Sequence, residues 1–383
     1  MFYLNMNAVA ALAGLILLLF VTRRWSGGKR WLLLAFNLAF LAVFSLPLAG
    51  FYAVYSALNY AGYVWLRTAE RGRRAGFAVL CFANIGVVVT ARLLDMNVWE
   101  HPLYDPIMTL GLIYNLLKAI DTQYFAYYVG RNHPRASALD YFNYILFVPT
   151  FTSGPILKFR DFLADARQPH RVDAAGFETA VKRIILGFFK KIVLVTWMYM
   201  LYDHLMAGEL YTWTSLFLMV WFYLIIYFDF SGYSDIAIGF GRLTGYNVPE
   251  NFKQPFLSPT LTQYWRNWHA TMADWFRDHV TLIFARRNTT KRTAVGLSML
   301  IMLLIGLWHG FTWLYVLWGL YHGLVMAAEI LLDKTTVNKK KVSKAYYYAR
   351  CLLTQAIVAA AVIVYIPDTE QTLRIYAGLL NWP

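Results

Sequence analysis

The chain has 383 residues, of which 59% are hydrophobic and only 15% charged. A soluble domain needs more polar residues to cover its surface, and a disordered or collagenous chain far fewer apolar ones, so a polytopic membrane protein remains. Lys and Arg number 35 against 21 Asp and Glu, a net charge of +14, but the basic residues gather in short clusters between apolar runs, as cytoplasmic loops do, rather than in a nucleic-acid-binding face.

Met6–Val21 is apolar and uncharged, with Arg23, Arg24, Lys29 and Arg30 after it. Charges behind the run, and none before it, predict an uncleaved first span with its N-terminus outside rather than a signal peptide. Further spans are predicted at Trp31–Pro47, Leu48–Leu66, Ala75–Thr90, Ile107–Ile120, Tyr141–Leu157, Ile184–Leu201, Trp213–Phe230, Ala294–Trp308, Trp313–Leu332 and Tyr347–Ile366, with a short interfacial tail at Leu373–Leu380. Several are shorter than the ~20 residues of a straight span, so they either cross a thinned region with little tilt or are re-entrant, and runs interrupted by polar motifs point to an internal cavity. The expectation is one all-α membrane domain over residues 1–383, with about 11 transmembrane or re-entrant helices around a central tunnel. Arg71–Arg74, Lys158–Arg171, Arg286–Arg292 and Lys334–Lys344 are the other basic clusters, read as cytoplasmic loops facing anionic headgroups.

Four polar islands interrupt this background, and polar groups at membrane depth are functional candidates by default. The first, Pro149–Pro155, holds Thr150, Thr152 and Ser153 between two prolines and reads as a bent connector or a channel wall. The second, Tyr227–Asp235, carries Asp229, Ser231, Ser234 and Asp235; without a nucleophile elbow its serines are not nucleophiles, and its aspartates are expected to cap a new helix near Ile236–Leu243 or to orient a polar partner. The third, Leu261–Phe284, is predicted as one amphipathic helix. On it Trp265, Trp268, His269, Met272, Phe276 and Ile283 share a face, Asn267, Thr271, Asp274 and Asp278 lie opposite, and Arg266 and Arg277 flank it. The fourth, Gly306–Trp313, sets His309 between Gly306 and Gly310, with no carboxylate within 19 residues on either side. Burial there keeps an imidazole neutral, the form a general base requires. His322 reads as structural. The three histidines are spaced by 40 and 13 residues, not as metal ligands are, so no metal site is expected. Neither a Walker loop nor a dinucleotide fingerprint is present. Cys81 and Cys351 stand far apart and form no CxxC.

In this order the islands resemble the membrane-bound O-acyltransferase (MBOAT) superfamily from about Met108 to Leu332. The strings that carry the resemblance are Phe228-Asp-Phe-Ser-Gly-Tyr-Ser234, Asn251-Phe-Lys-Gln-Pro-Phe256, Tyr264-Trp-Arg-Asn-Trp-His269, Trp275-Phe-Arg-Asp278 and Leu307-Trp-His-Gly310. Phe147–Pro155 and Trp275–Asp278 look like the branch of teichoic-acid D-alanyl transferases. Leu282–Asn288 departs from the string usual in alginate O-acetyltransferases, and Ile156-Leu-Lys158 departs from the D-alanyl pattern. The resemblance implies a bacterial multi-pass plasma-membrane enzyme that moves an acyl group, D-alanyl before acetyl, from a carrier thioester to a hydroxyl of a cell-surface polymer. It implies His309 and His269 as the catalytic pair; Trp265, Arg266, Asp229, Ser231 and Ser153 are the residues expected to contact substrate. No permanent cofactor is implied: the phosphopantetheine-linked donor is a substrate, delivered by an acyl carrier protein on the cytoplasmic face, where the basic loops would steer an acidic partner. The rival is a transporter or flippase of a lipid-linked glycan, which would show inverted repeats; none is visible in the sequence.

Overall fold

A computed structural model describes residues 6–22, 27–96, 111–170, 172–284 and 290–382. Every regular element among them is helical. Six helices are long and apolar enough to cross a membrane: 73–93, 174–206, 212–243, 291–309, 313–331 and 344–365. The chain divides into two compact units, 1–185 with 234–249, and 186–233 with 250–383.

In the first unit α1 (Met6–Val21), α2 (Gly28–Phe44), α3 (Leu46–Thr68), α4 (Arg73–Met96) and α5 (Leu112–Tyr124) follow the predicted runs. Arg23, Arg24 and the first residues of the Ile107–Ile120 run lie outside the described residues. Ser45 ends α2 and caps α3 by accepting from the Leu48 N–H, ahead of a proline in the first turn. Buried polar side chains of α3, α4 and α5 bond to one another. Tyr55 donates to Asn84 at 2.5 Å, Asn84 to Asn59 at 2.8 Å, and Gln123 to the Asn59 carbonyl at 2.9 Å.

Tyr141–Leu157 is not a span. Its helix, α6 (Ala138–Ile145), is eight residues long, because Pro149 and Pro155 cannot continue it and the backbone turns irregular after Val148–Thr150. Burial in protein makes that tolerable: Phe147, Val148, Thr150 and Phe151 are each at most 1% exposed. Gly111, at φ +93°, lets the start of α5 pass so close to the Phe151 carbonyl that a Cβ would sit 2.2 Å from it. The island leads into α7 (Phe159–Ala166), where the Phe159 N–H donates to Asp121 at 2.6 Å. Phe162 stacks on Tyr246 at 4.5 Å, and Lys29 lies 4.3 Å from the same ring. Lys29 donates to the carbonyls of Asp165, Gln168 and Gly245 at 2.7, 3.3 and 2.9 Å, answering orphan acceptors at two helix ends. Burial lowers its pKa to about 8, while those three carbonyls use all three ammonium protons.

α8 (Ala174–Phe188), a π-helical stretch at Phe189–Leu194 and α9 (Val195–Met206) form one apolar helix of 33 residues. α10 (Thr212–Leu243) runs 32 residues without a break, about 48 Å at 1.5 Å per residue. Asp229 and Asp235 therefore cap nothing: they sit inside α10, and each is paired from another part of the chain. Lys191 donates to Asp229, and Arg183 to Asp235 at 2.9 Å. These ion pairs remove the reason for the helix to stop at its acidic residues.

The second unit continues with α11 (Leu261–Trp265), α12 (Ala270–Phe284), α13 (Lys291–His309), α14 (Trp313–Leu331), α15 (Lys344–Val362) and α16 (Thr369–Gly378). Thr260, Thr290, Ser343 and Asp368 cap four of them through side-chain oxygens. Small residues bring α13 and α14 together: a Cβ on Gly306 would lie 2.4 Å from the Tyr315 carbonyl, and one on Gly319 2.7 Å from that of Met302.

Candidate active site

The predicted helix Leu261–Phe284 is broken where its chemistry lies. α11 ends at Trp265, the chain turns through Arg266–Trp268, and α12 restarts at Ala270. Between them His269 has φ +42°, a left-handed conformation that a residue with a side chain adopts at a cost of order 1–3 kcal/mol. The shared face expected of continuous 100° steps is therefore lost. Thr271, assigned to the polar face, is buried and donates to Asn251, while Ile283, assigned to the apolar one, is exposed.

What holds the break comes from elsewhere in the second unit. Glu329 of α14 reaches the first turn of α11: it accepts from the Leu261 N–H at 2.6 Å, the Thr262 N–H at 2.9 Å and the Thr262 hydroxyl at 2.7 Å. A carboxylate at a helix N-terminus also meets the favourable end of its dipole. The residues behind His269 pair with the 251–253 strand of loop, Lys253 N–H with the Asn267 carbonyl at 2.8 Å and Ala270 N–H with that of Asn251 at 2.9 Å. Tyr347, Arg350 and Gln355 of α15 donate to the carbonyls of Leu257, Pro259 and Pro255. Several backbone groups of this irregular, partly buried loop thus find partners in the neighbouring segments.

His269 is 3% exposed. Its Nδ1 is 3.1 Å from Asn251 Oδ1, and its Nε2 is buried without a hydrogen-bond partner. Its ring meets Phe230 edge-on at 4.6 Å and Trp308 at 6.1 Å. Burial first, and the neighbouring His309 second, hold its pKa well below the usual histidine value, so the ring is neutral at physiological pH.

His309 closes α13, with extended Gly310 as the cap. The sequence suggested a deeply buried imidazole here; the structure gives that environment to His269 and leaves His309 half-buried. The His309 ring lies 4.7 Å from Trp308, 5.7 Å from Trp318 and edge-on to Tyr365 at 4.9 Å. Trp308 is thus the wall shared by the two histidines. Gly310 admits the Tyr315 ring rather than open space, since a Cβ there would meet it at 2.3 Å. His322 is 1% exposed and packs against Trp318 at 4.6 Å and Trp265 at 5.5 Å.

Of the residues expected to contact substrate, Trp265 is brought to Trp318 at 5.5 Å, and its indole Nε1 is buried without a partner. Ser231 is buried on α10 with an unpartnered hydroxyl. Asp229 is engaged by Lys191, and Arg266 is exposed. Arg277, the other arginine flanking the segment, pairs with Asp274 at 2.8 Å and Asp278 at 3.3 Å. Ser153 is half-buried in a bend of the first unit. Sequence reasoning missed Asn251 and Glu329. Asn251 stood in a matching string without a role, and Glu329 is a carboxylate inside an apolar run, a signal that was there to be used.

Residues 131–350 match the model of the membrane-bound O-acyltransferase family. A probable alginate O-acetylase of Azotobacter vinelandii is 29% identical over 372 residues, 92% of this chain and 73% of the relative. One from Pseudomonas aeruginosa is 31% identical over 340 residues, 82% of this chain and 64% of its own length. A teichoic acid D-alanyltransferase of Streptococcus thermophilus is 36% identical over 222 residues, 53% of each chain. The chain therefore spans less than two thirds of the latter two relatives.

Proposed function

The chain belongs to the membrane-bound O-acyltransferase family and is a multi-pass membrane protein, and from that premise we propose that it transfers an acyl group from a thioester donor to a hydroxyl of a cell-surface polymer. The observation that carries this is the histidine pair on the two sides of Trp308: His269, neutral and buried with an unpartnered Nε2, and His309, half-buried among Trp318 and Tyr365. A hydroxyl is a poor nucleophile until a base takes its proton. A neutral imidazole at hydrogen-bond distance contributes 10²–10⁴-fold, and holding donor and acceptor together adds the proximity effect. In the transfer the acceptor oxygen bonds to the thioester carbonyl carbon, imidazole takes the hydroxyl proton, the C–S bond breaks, and the thiolate leaves and is protonated. No covalent acyl-enzyme is needed. His309 acts as the base on the acceptor and His269 assists; Trp265 and Ser231 contribute unpartnered polar atoms for substrate.

Acetyl is the first reading for the acyl group, supported by relatives named alginate O-acetylases that align over most of this chain. D-alanyl, the expectation from the motif strings, stands second on the higher identity of the shorter match. The donor is a pantetheine thioester on an acidic carrier protein. The exposed Lys334, Lys339, Lys340, Lys341 and Lys344 supply charge to steer it. In lipid nanodiscs with carrier protein charged with labelled acetyl or labelled D-alanine, and alginate or teichoic acid as acceptor, label enters the polymer as a base-labile ester. Transfer from neither donor to either polymer overturns the reading. Binding of carrier unaffected by salt and by charge reversal at these lysines overturns the docking.

A further inference from the structure

We propose that Asn251 is a positioning residue that locks His269 in its Nδ1-protonated tautomer, so that Nε2 is a standing hydrogen-bond acceptor in the site. This rests on the acyl-transfer reading and assigns it a residue outside the histidine pair.

The orientation of the Asn251 amide follows from the donors around it. The Thr271 backbone N–H, which only donates, is 3.4 Å from the atom assigned as Oδ1, and the Thr271 hydroxyl is 2.8 Å from it. An amide nitrogen there would face an N–H with its own hydrogens, so the atom is the oxygen. A carbonyl oxygen only accepts, and His269 Nδ1 at 3.1 Å must therefore carry the proton. In a neutral imidazole the other nitrogen then has the lone pair. That nitrogen is the buried, unpartnered Nε2.

The backbone bears the cost of this aim. The left-handed φ of His269 turns the ring out of the helical path, between Phe230 and Trp308. Asn251 is 0% exposed and its own carbonyl binds the Ala270 N–H, so its side chain is fixed from the residue that follows the histidine. Strain at a buried imidazole, a fixed tautomer and an unused acceptor point to a nitrogen kept ready to accept a hydrogen bond. The elements packed on His269 are α10 through Phe230, the loop through Asn251 and α13 through Trp308; the titratable group they bring to bear on it is His309.

Two measurements test the assignment. The first is the ¹⁵N shifts of the His269 ring in the wild-type chain in nanodiscs, identified by their loss in His269→Gln. The expected result is a protonated Nδ1 and an unprotonated Nε2 from pH 6 to 8; a protonated Nε2 overturns the proposal. This readout needs no substrate, so it stands or falls apart from the acyl-transfer reading, which fails instead if the wild type transfers no acyl group. The second is the near-isosteric Asn251→Asp. A carboxylate against Nδ1 favours the imidazolium, raising the histidine pKa by roughly 1–3 units. In the folded variant the ¹⁵N shifts of the His269 ring titrate at least about one unit higher in pH than in the wild type. A His269 titration unmoved in the folded variant overturns the proposal, because a carboxylate that does not meet Nδ1 leaves the protonation of the ring where it was.

Discussion

Glu329→Gln probes whether a carboxylate on α14 holds the catalytic segment in place. The native side chain accepts from two of the N–H groups that open α11 and from the Thr262 hydroxyl, at 2.6–2.9 Å. Gln keeps one oxygen and turns the other position into an amide donor that faces an N–H. One helix-opening N–H thus loses its acceptor, and the remaining bonds lose their charge. Hydrogen bonds to charged groups contribute about 1.5–3 kcal/mol, and an unsatisfied buried N–H costs about 1–3, so the variant should lose roughly 2–4 kcal/mol. At roughly 2–4 °C per kcal/mol for a unit of this size, the unfolding midpoint in detergent drops by about 4–16 °C. The catalytic effect appears below that midpoint. α11 leads directly to the strained turn at His269, and misplacement by about 1 Å at a reacting group costs up to ~10²-fold. Turnover of a labelled thioester, measured where the variant is fully folded, should fall 10–100-fold. An unfolding midpoint within 1 °C of wild type together with unchanged turnover would mean that Glu329 does not hold the segment.

The other predictions follow from the same contacts. Asp229→Ala strands the buried Lys191 and should cost about 3–5 kcal/mol, whereas Asp229→Leu with Lys191→Met removes both charges and restores most of the stability; if the stable double variant still turns over, Asp229 serves the fold, and if it does not, the aspartate serves substrate. Because burial depresses its pKa, the His269 ring stays neutral until pH falls well below the ordinary 6.5, so its ring ¹⁵N shifts should be flat from pH 6.5 to 8; an inflection near 6.5–7 would contradict this. Gly306→Ala drives a Cβ against the Tyr315 carbonyl and should destabilise by about 1–3 kcal/mol while displacing His309, measured as a joint loss of midpoint and turnover.

Apolar runs told much of this fold, and long-range polar contacts told little. Met6–Val21 has the predicted bounds, and α13 and α14 begin and end within three residues of theirs, because charge clusters, Thr290 and Gly310 punctuate them in the sequence. Pro149 and Pro155 announced a bend, although the apolar residues around them suggested a span. The break at 266–269 gave no such notice: no glycine or proline marks it, and the groups that hold it, Asn251 and Glu329, stand 18 and 67 or 68 residues away. In the other direction, Asp229 and Asp235 looked like a helix boundary only because Lys191 and Arg183, 38 and 52 residues away, could not be seen to neutralise them. Both errors share one physical source. At membrane depth a polar side chain is satisfied by whatever the tertiary fold brings to it, and local pattern carries no record of that partner.

The central claim, acyl transfer at a histidine pair, is tested most directly by single-turnover transfer from a labelled carrier thioester in nanodiscs holding wild type, His309→Ala or His269→Ala at equal loading and with equal unfolding midpoints. Label is expected in the polymer for wild type, none above background for His309→Ala, and a strongly reduced but measurable rate for His269→Ala. Wild-type transfer rates in folded His309→Ala would contradict the claim.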